Sequence, residues 1–141
     1  MDELELLIKK YELEEKVRPK TTYGIMIIDD DPGVRRALKK IFTKRGYETI
    51  EFRTGEEALA YLSVSVEKIK VVILDIKLPR VDGNQIYQMV KKVIDAPIII
   101  HTAYAGEDAP DSRSLNAFDY IHKGTPGSYE QLCSAVERAI G

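Results

Sequence analysis

Four apolar runs in this 141-residue chain each lead into polar residues of a restricted kind. Ile27-Ile28 runs into Asp29-Asp30-Asp31, and Val71-Val72-Ile73-Leu74 runs into Asp75. Ile98-Ile99-Ile100-His101 meets Thr102, and Phe118-Asp119-Tyr120-Ile121 is followed by His122-Lys123. Carboxylates gathered in one place repel, and at least one stays protonated unless a cation joins them. Mg²⁺ meets that need, because it takes hard oxygen ligands, keeps several waters and favours one or two carboxylates plus a phosphate. A carboxylate can itself attack phosphorus and become an aspartyl phosphate. Such a transfer needs in-line placement and neutralised phosphoryl oxygens, a task suited to the metal and to Lys123. Thr102 can donate its hydroxyl to a phosphoryl oxygen, and the small Ala103 beside it leaves room.

Each residue alone has an ordinary explanation. A carboxylate after a strand is commonly a helix cap, and Asp31, before Pro32-Gly33, reads as one. A lone lysine after a strand is commonly a solvated charge. The combination depends on the elements that would bring the residues together. Residues 23–28, 47–52, 71–74, 97–101 and 118–121 read as strands, the second more polar and therefore at an edge. Between them lie helix signatures. Val34, Ala37, Leu38, Ile41 and Phe42 form one face, closed by Gly46. Thr54-Gly55-Glu56-Glu57 is a capping box before Ala58, Leu59 and Leu62. Ile86, Met89, Val90 and Val93 make a third face, and Tyr129, Leu132, Cys133, Val136, Ala139 and Ile140 a wide fourth. The stretch between the last two strands is interrupted by Pro110, which predicts a short or irregular helix beginning near Asp111.

Alternation of strand and helix predicts an α/β fold, a doubly wound parallel sheet covered on both faces. In such sheets ligands bind beyond the carboxyl ends of the strands, where strand order reverses. With the order 2-1-3-4-5, the first and third strands are neighbours, and Asp29, Asp30 and Asp75 meet in one pocket.

Residues 1–20 differ from the rest in lacking Gly and being rich in Glu, Lys and Leu. Leu4, Leu7, Ile8 and Tyr11 mark one side of an amphipathic helix. Three readings stand: a helix packed on its own domain, a short coiled-coil arm that makes a homodimer, or a frayed leader. The chain as a whole is 44% hydrophobic and 31% charged, ordinary for one soluble domain. A net charge of −2 gives no bias toward nucleic acid. The apolar runs are too short to span a membrane, no signal peptide is visible, and a single cysteine fits a reducing cytoplasm.

The chain resembles the receiver domain of two-component response regulators over about residues 22–141. The resemblance is carried by Ile27-Ile28-Asp29-Asp30-Asp31-Pro32, by Val72-Ile73-Leu74-Asp75-Ile76-Lys77-Leu78-Pro79 with Asp82-Gly83, by Pro97-Ile98-Ile99-Ile100-His101-Thr102-Ala103, and by Ala117-Phe118-Asp119-Tyr120-Ile121-His122-Lys123. It implies the flavodoxin-like five-stranded fold with strand order 2-1-3-4-5. It implies that Asp75 is the phosphoacceptor, that Asp29 and Asp30 are the metal-binding acidic pair, and that the Lys77 backbone carbonyl is a further Mg²⁺ ligand. Thr102 becomes the switch hydroxyl, Tyr120 the switch aromatic and Lys123 the family's lysine. Two positions depart from the family pattern: Gly124 stands where proline is usual after that lysine, and Asn116 where glycine is common.

The expected function is a phosphoacceptor signalling module rather than an enzyme. A sensor histidine kinase or phosphotransfer protein would phosphorylate Asp75, and the face from the fourth strand to the last helix would change for a downstream target. No output domain is expected after Gly141, so no direct nucleic-acid binding. The docking-module alternative keeps the fold and leaves the pocket unused. A haloacid-dehalogenase-like phosphatase would want a carboxylate where Lys77 stands, and a dinucleotide-binding domain would want a Gly-x-Gly-x-x-Gly after the first strand. His101 points away from Thr102 on a strand and reads as a packed histidine, His122 as a strand-end group. Lys77 could also reach the phosphoryl group with its ammonium and alter attack by water.

Overall fold

The computed structural model describes residues 1–17, 24–64, 69–76, 83–103 and 116–141. Five strands, β1 (Ile25–Ile28), β2 (Thr49–Phe52), β3 (Val71–Leu74), β4 (Ile98–Thr102) and β5 (Asp119–His122), form one parallel sheet in the order β2-β1-β3-β4-β5. The helices are α1 (Glu3–Val17), α2 (Pro32–Lys44), α3 (Gly55–Leu62), α4 (Gly83–Val93) and α5 (Ser128–Ile140). This is the doubly wound α/β sheet expected from the alternating pattern, in the flavodoxin-like order that the resemblance implies, with the additional N-terminal helix. The polar strand β2 lies at one edge, as its composition predicts.

Every residue of β1 and β3 is buried, because helices cover both sheet faces. Alternate side chains divide the core in two. Met26, Ile28, Val72, Leu74 and Ile100 face α1, α3 and α4. Ile25, Ile27, Val71, Ile73 and Ile99 face α2 and α5, against Leu38, Phe42, Leu132 and Val136. Leu38 and Phe42 are fully buried, each contributing about 1.5–3 kcal/mol by leaving water.

Local signals hold at several helix ends. The Asp31 side chain accepts hydrogen bonds from the backbone N–H groups of Gly33 and Val34, capping α2. Thr54 accepts from the Glu57 N–H at 3.1 Å, the first half of the capping box. Strand ends shift by a residue or two: β4 extends through Thr102, and β5 begins at Asp119 and extends to His122.

The face of α4 is corrected. Ile86, Tyr87, Val90 and Ile94 are buried, whereas Met89 and Val93 are 47% and 44% exposed. Gly55 opens α3, and a Cβ there would lie 2.9 Å from the Ile86 side chain. The missing side chain lets Ile86 seat against α3, and the buried stripe runs on through Tyr87 and Ile94 rather than through Met89 and Val93. Tyr129 also departs from the expected α5 face, at 39% exposed. The proline-interrupted segment lies outside the described residues.

The N-terminal helix packs on its own domain. Tyr11 is buried, with Leu7 and Ile8 partly buried against the core, while Leu4, Leu6 and Leu13 are exposed. Its ring meets Phe52 and Tyr61 edge-on, with centroids 6.0 and 5.8 Å away.

Candidate functional site

The sheet ladder runs one residue past the strands at the pocket. The Asp29 N–H donates to the Phe52 carbonyl at 3.1 Å, and the Asp75 N–H donates to the Ile28 carbonyl at 2.9 Å. Since Ile28 pairs with Leu74, Asp29 and Asp75 leave adjacent strands side by side. The backbone is thereby held before any side-chain contact is made. Arg35, one turn into α2, donates to the Asp29 carbonyl at 2.8 Å and ties the loop to the helix. Its place one turn after the Asp31 cap was the signal available in the sequence for this role.

One carboxylate oxygen from each of Asp29, Asp30 and Asp75 lies within 4.8 Å of the others. Asp29 and Asp75 are buried, and Asp30 is exposed. Three carboxylates, one of them open to solvent, match a hard cation that keeps part of its water shell. Lys123 enters the same pocket. Its ammonium lies 2.7 Å from Asp29 Oδ2 and 2.8 Å from Asp75 Oδ2, and its backbone N–H donates to the Thr102 carbonyl at 2.7 Å.

The charges answer to these contacts. Burial pushes the Asp29 carboxyl above its ordinary range; its bonds to Lys123 and the Asp31 N–H only partly offset this. Burial alone would lower Lys123, but its bonds to Asp29 and Asp75 outweigh burial and hold the ammonium above its usual range. Lys123 is thus a permanent cation in this pocket.

The loop that carries Lys123 solves the missing proline differently. Gly124 has φ +79°, a left-handed conformation that glycine adopts without steric cost, and no cis peptide bond occurs among the described residues. Asn116, the other departure from the family pattern, has φ 62°. After glycine, asparagine is among the residues best suited to that region.

Thr102 is fully buried at the end of β4. Its register partner on β5 is His122, and that of Ile100 is Tyr120, so Thr102 and Tyr120 share a sheet face. Tyr120 packs half-buried against the α3 and α4 side of the core. Lys77 lies outside the described residues. His122 is half-buried, with Nδ1 3.2 Å from the Thr125 hydroxyl.

His101 is 1% exposed on the opposite face, with its ring 6.2 Å from that of Tyr129. Its Nδ1 has no hydrogen-bond partner among the described residues. Burial, helped by the charge of Lys123 and opposed by Asp75, lowers its pKa from 6.5 to about 4. The unfolded chain therefore takes up the proton first as pH falls. This ring's contribution is complete above pH 6.5 and is lost on the way down to about pH 4, a loss of about 3 kcal/mol. Urea unfolding across that window should show His101→Leu losing less stability than the wild type; parallel curves would refute the assignment. Asp29, with its raised carboxyl, acts in the opposite sense in both proteins and does not disturb the comparison.

A sheet in the order 2-1-3-4-5 with an acidic pocket and a half-buried lysine at its carboxyl edge defines a class of signalling domain. Residues 25–137 match the response regulator receiver domain, and the chain belongs to that family, whose members are signalling modules of two-component systems. It is 37% identical over 119 residues to sporulation initiation phosphotransferase F of Bacillus subtilis (strain 168), covering 82% of this chain and 92% of that protein. It is 36% identical over 118 residues to the regulatory protein AtoC of Escherichia coli (strain K12), covering 82% of this chain and only 25% of AtoC. Among solved structures, the response regulator TrrA of Thermotoga maritima, in complex with Mg²⁺ and BeF, superposes with a TM-score of 0.69 at 31% identity, covering 84% of this chain and 99% of that one. A receiver domain protein from Clostridium thermocellum gives a TM-score of 0.73 at 27% identity, over 84% and 94% of the two chains. No helix among the described residues is long and apolar enough to cross a membrane.

Proposed function

We propose that this chain is the phosphoacceptor module of a two-component phosphorelay, phosphorylated on Asp75 by a sensor histidine kinase or phosphotransfer protein. The observation that carries the reading is the convergence of Asp29, Asp30, Asp75 and Lys123 in one pocket at the carboxyl edge of the sheet. Near-complete coverage of a relative named as a phosphotransferase supports a relay role. Residues 22–141 form the receiver domain in this reading and residues 1–20 an N-terminal helical extension. The module turns over no free substrate; its chemistry is its own phosphorylation and dephosphorylation, in the cytoplasm.

An Asp75 carboxylate oxygen attacks phosphorus. The new O–P bond forms as the P–N bond of the donor's phosphohistidine breaks, and the electron pair stays on the imidazole. Asp29, Asp30, Asp75 and the Lys77 backbone carbonyl would hold Mg²⁺, which when bound would neutralise charge on the phosphoryl oxygens. The Lys123 ammonium balances that charge from the side it shares with Asp75. Thr102 donates its hydroxyl to the phosphoryl group, and Tyr120 turns inward behind it, reshaping the surface from β4 to α5 that a downstream target protein reads. Exposed Leu6 and Leu13, seven residues apart on α1, support a homodimer through that helix; a monomeric mass at high concentration in sedimentation velocity would exclude it.

The test is intact-mass analysis after incubation with acetyl phosphate. One phosphoryl group is expected in the presence of Mg²⁺ and none after chelation with EDTA. A receiver-like docking module with an unused pocket would show no incorporation under either condition.

A further inference from the structure

We infer that Tyr11 of the N-terminal helix is a positioning residue for the metal-binding carboxylates, acting through Phe52. The inference rests on the proposed Mg²⁺-dependent reading of the pocket and adds to it a residue outside the family match, which begins at residue 25.

Three aromatic rings join three elements. Tyr11 on α1 meets Phe52 at 6.0 Å with planes at 85°, and Tyr61 on α3 at 5.8 Å with planes at 89°. Phe52 and Tyr61 close the triangle at 5.4 Å. Edge-to-face geometry is favoured by the ring quadrupoles, so the cluster holds a set arrangement rather than a loose apolar patch. Phe52 and Tyr61 are each 2% exposed. Tyr11 provides part of that cover from a helix outside the family match.

Phe52 is the point where this cluster reaches the pocket. It is the last residue of β2 and the register partner of Ile28. Its carbonyl accepts the Asp29 N–H at 3.1 Å. The Asp29 carboxylate in turn accepts the Asp31 N–H at 2.9 Å and meets Lys123 at 2.7 Å. β2 is an edge strand, paired on one side only by β1. Its end is therefore held by that single ladder and by the packing of its side chains. Removing the Tyr11 ring loosens the Phe52 side chain, and with it the carbonyl that fixes the Asp29 backbone. Partners in the second shell of a metal site commonly alter affinity by 10–100-fold through orientation of the ligands.

The experiment uses the intact chain and Mg²⁺ alone, titrated while backbone amide shifts are followed by NMR. Tyr11→Ala is expected to weaken Mg²⁺ binding about tenfold, and Tyr11→Phe to keep wild-type affinity because the ring remains. Tyr47→Ala is the control. It removes an aromatic contact with Phe42, at 6.2 Å, ahead of β2 on the other side of the sheet. Its Mg²⁺ affinity is expected to stay at the wild-type value even where its melting temperature falls. Equal affinity in Tyr11→Ala and wild type overturns the inference, as does an equal loss in Tyr47→Ala. Should Tyr11→Ala not fold, Tyr11→Leu is judged by the same comparison. A wild-type protein that binds no Mg²⁺ would instead overturn the proposed function on which the inference rests.

Discussion

With Asp75→Asn, incorporation of phosphate from acetyl phosphate and Mg²⁺ is expected to fall to background. An amide lacks the anionic oxygen that attacks phosphorus and cannot form the acyl phosphate. Proximity alone does not single out Asp75, since oxygens of all three aspartates lie within 4.8 Å. Asp29 shares Lys123 with Asp75 but is also tied to a backbone N–H of its own loop. One of its oxygens accepts the Asp31 N–H and the other meets Lys123, and burial pushes its carboxyl toward the protonated form. With both oxygens already engaged, Asp29 suits an oriented ligand better than a nucleophile, and a bound cation would favour its charged form against burial. Asp30 is exposed, where a metal can keep its waters. Asp29→Asn and Asp30→Asn are therefore expected to slow labelling and demand more Mg²⁺, while Asp75→Asn ends it. Intact-mass measurement of the three variants decides the matter. Full labelling of Asp75→Asn would move the acceptor to another aspartate.

Lys123→Ala is expected to lower the stability of the metal-free protein by about 3 kcal/mol at pH 8, because removing the half-buried cation leaves two buried carboxylates uncompensated. Here two carboxylates lose the same cation, and Asp29 and Asp75 are only 2% and 4% exposed. The loss should shrink as pH falls. Asp29 is already pushed toward protonation by burial, and taking up a proton relieves the repulsion that Lys123 had balanced. Mg²⁺ should restore much of the stability, since a bound cation replaces the missing charge and favours the folded state by mass action. Lys123→Met keeps most of the aliphatic stem and separates the packing contribution from the charge. Urea unfolding with and without Mg²⁺ is the measurement. Equal stability of variant and wild type without metal would show that the two short ion pairs contribute nothing net.

Much of the pocket was legible because it lies at strand ends. A strand is a short apolar run, and the polar residue that stops it is visible without knowing what it touches. Asp29, Asp30, Asp75 and Lys123 were marked in this way, and the sheet order brings them together. Asp31 was separable as a cap because Pro32-Gly33 follows it, and its bonds to Gly33 and Val34 bear that out. The face of α4 was not legible in the same way. Ile86, Met89, Val90 and Val93 fit a helical stripe as well as Ile86, Tyr87, Val90 and Ile94 do. Ile86 and Val90 belong to both, and only packing against the rest of the core buried Tyr87 and Ile94 in place of Met89 and Val93. Arg35 was passed over, because its place one turn after the Asp31 cap does not by itself show that its side chain turns back to the Asp29 carbonyl.

What the amino-acid order determined by itself was the set of local events: which runs are strands, where helices begin, and which polar groups stand at the strand ends. These follow from short-range forces, namely burial of apolar runs, backbone capping and the conformational limits of Pro and Gly. Only the tertiary structure decided what those groups face. Lys123 reaches Asp29 and Asp75 because β4 and β5 extend the sheet beside β3, and its loop turns through a glycine at positive φ in place of the expected proline. Tyr11 joins the core because α1 folds back onto Phe52 and Tyr61 instead of leaving the domain as a free arm. Contacts between residues far apart in sequence depend on loop closure and on competition among apolar faces, and no local pattern encodes the outcome of that competition.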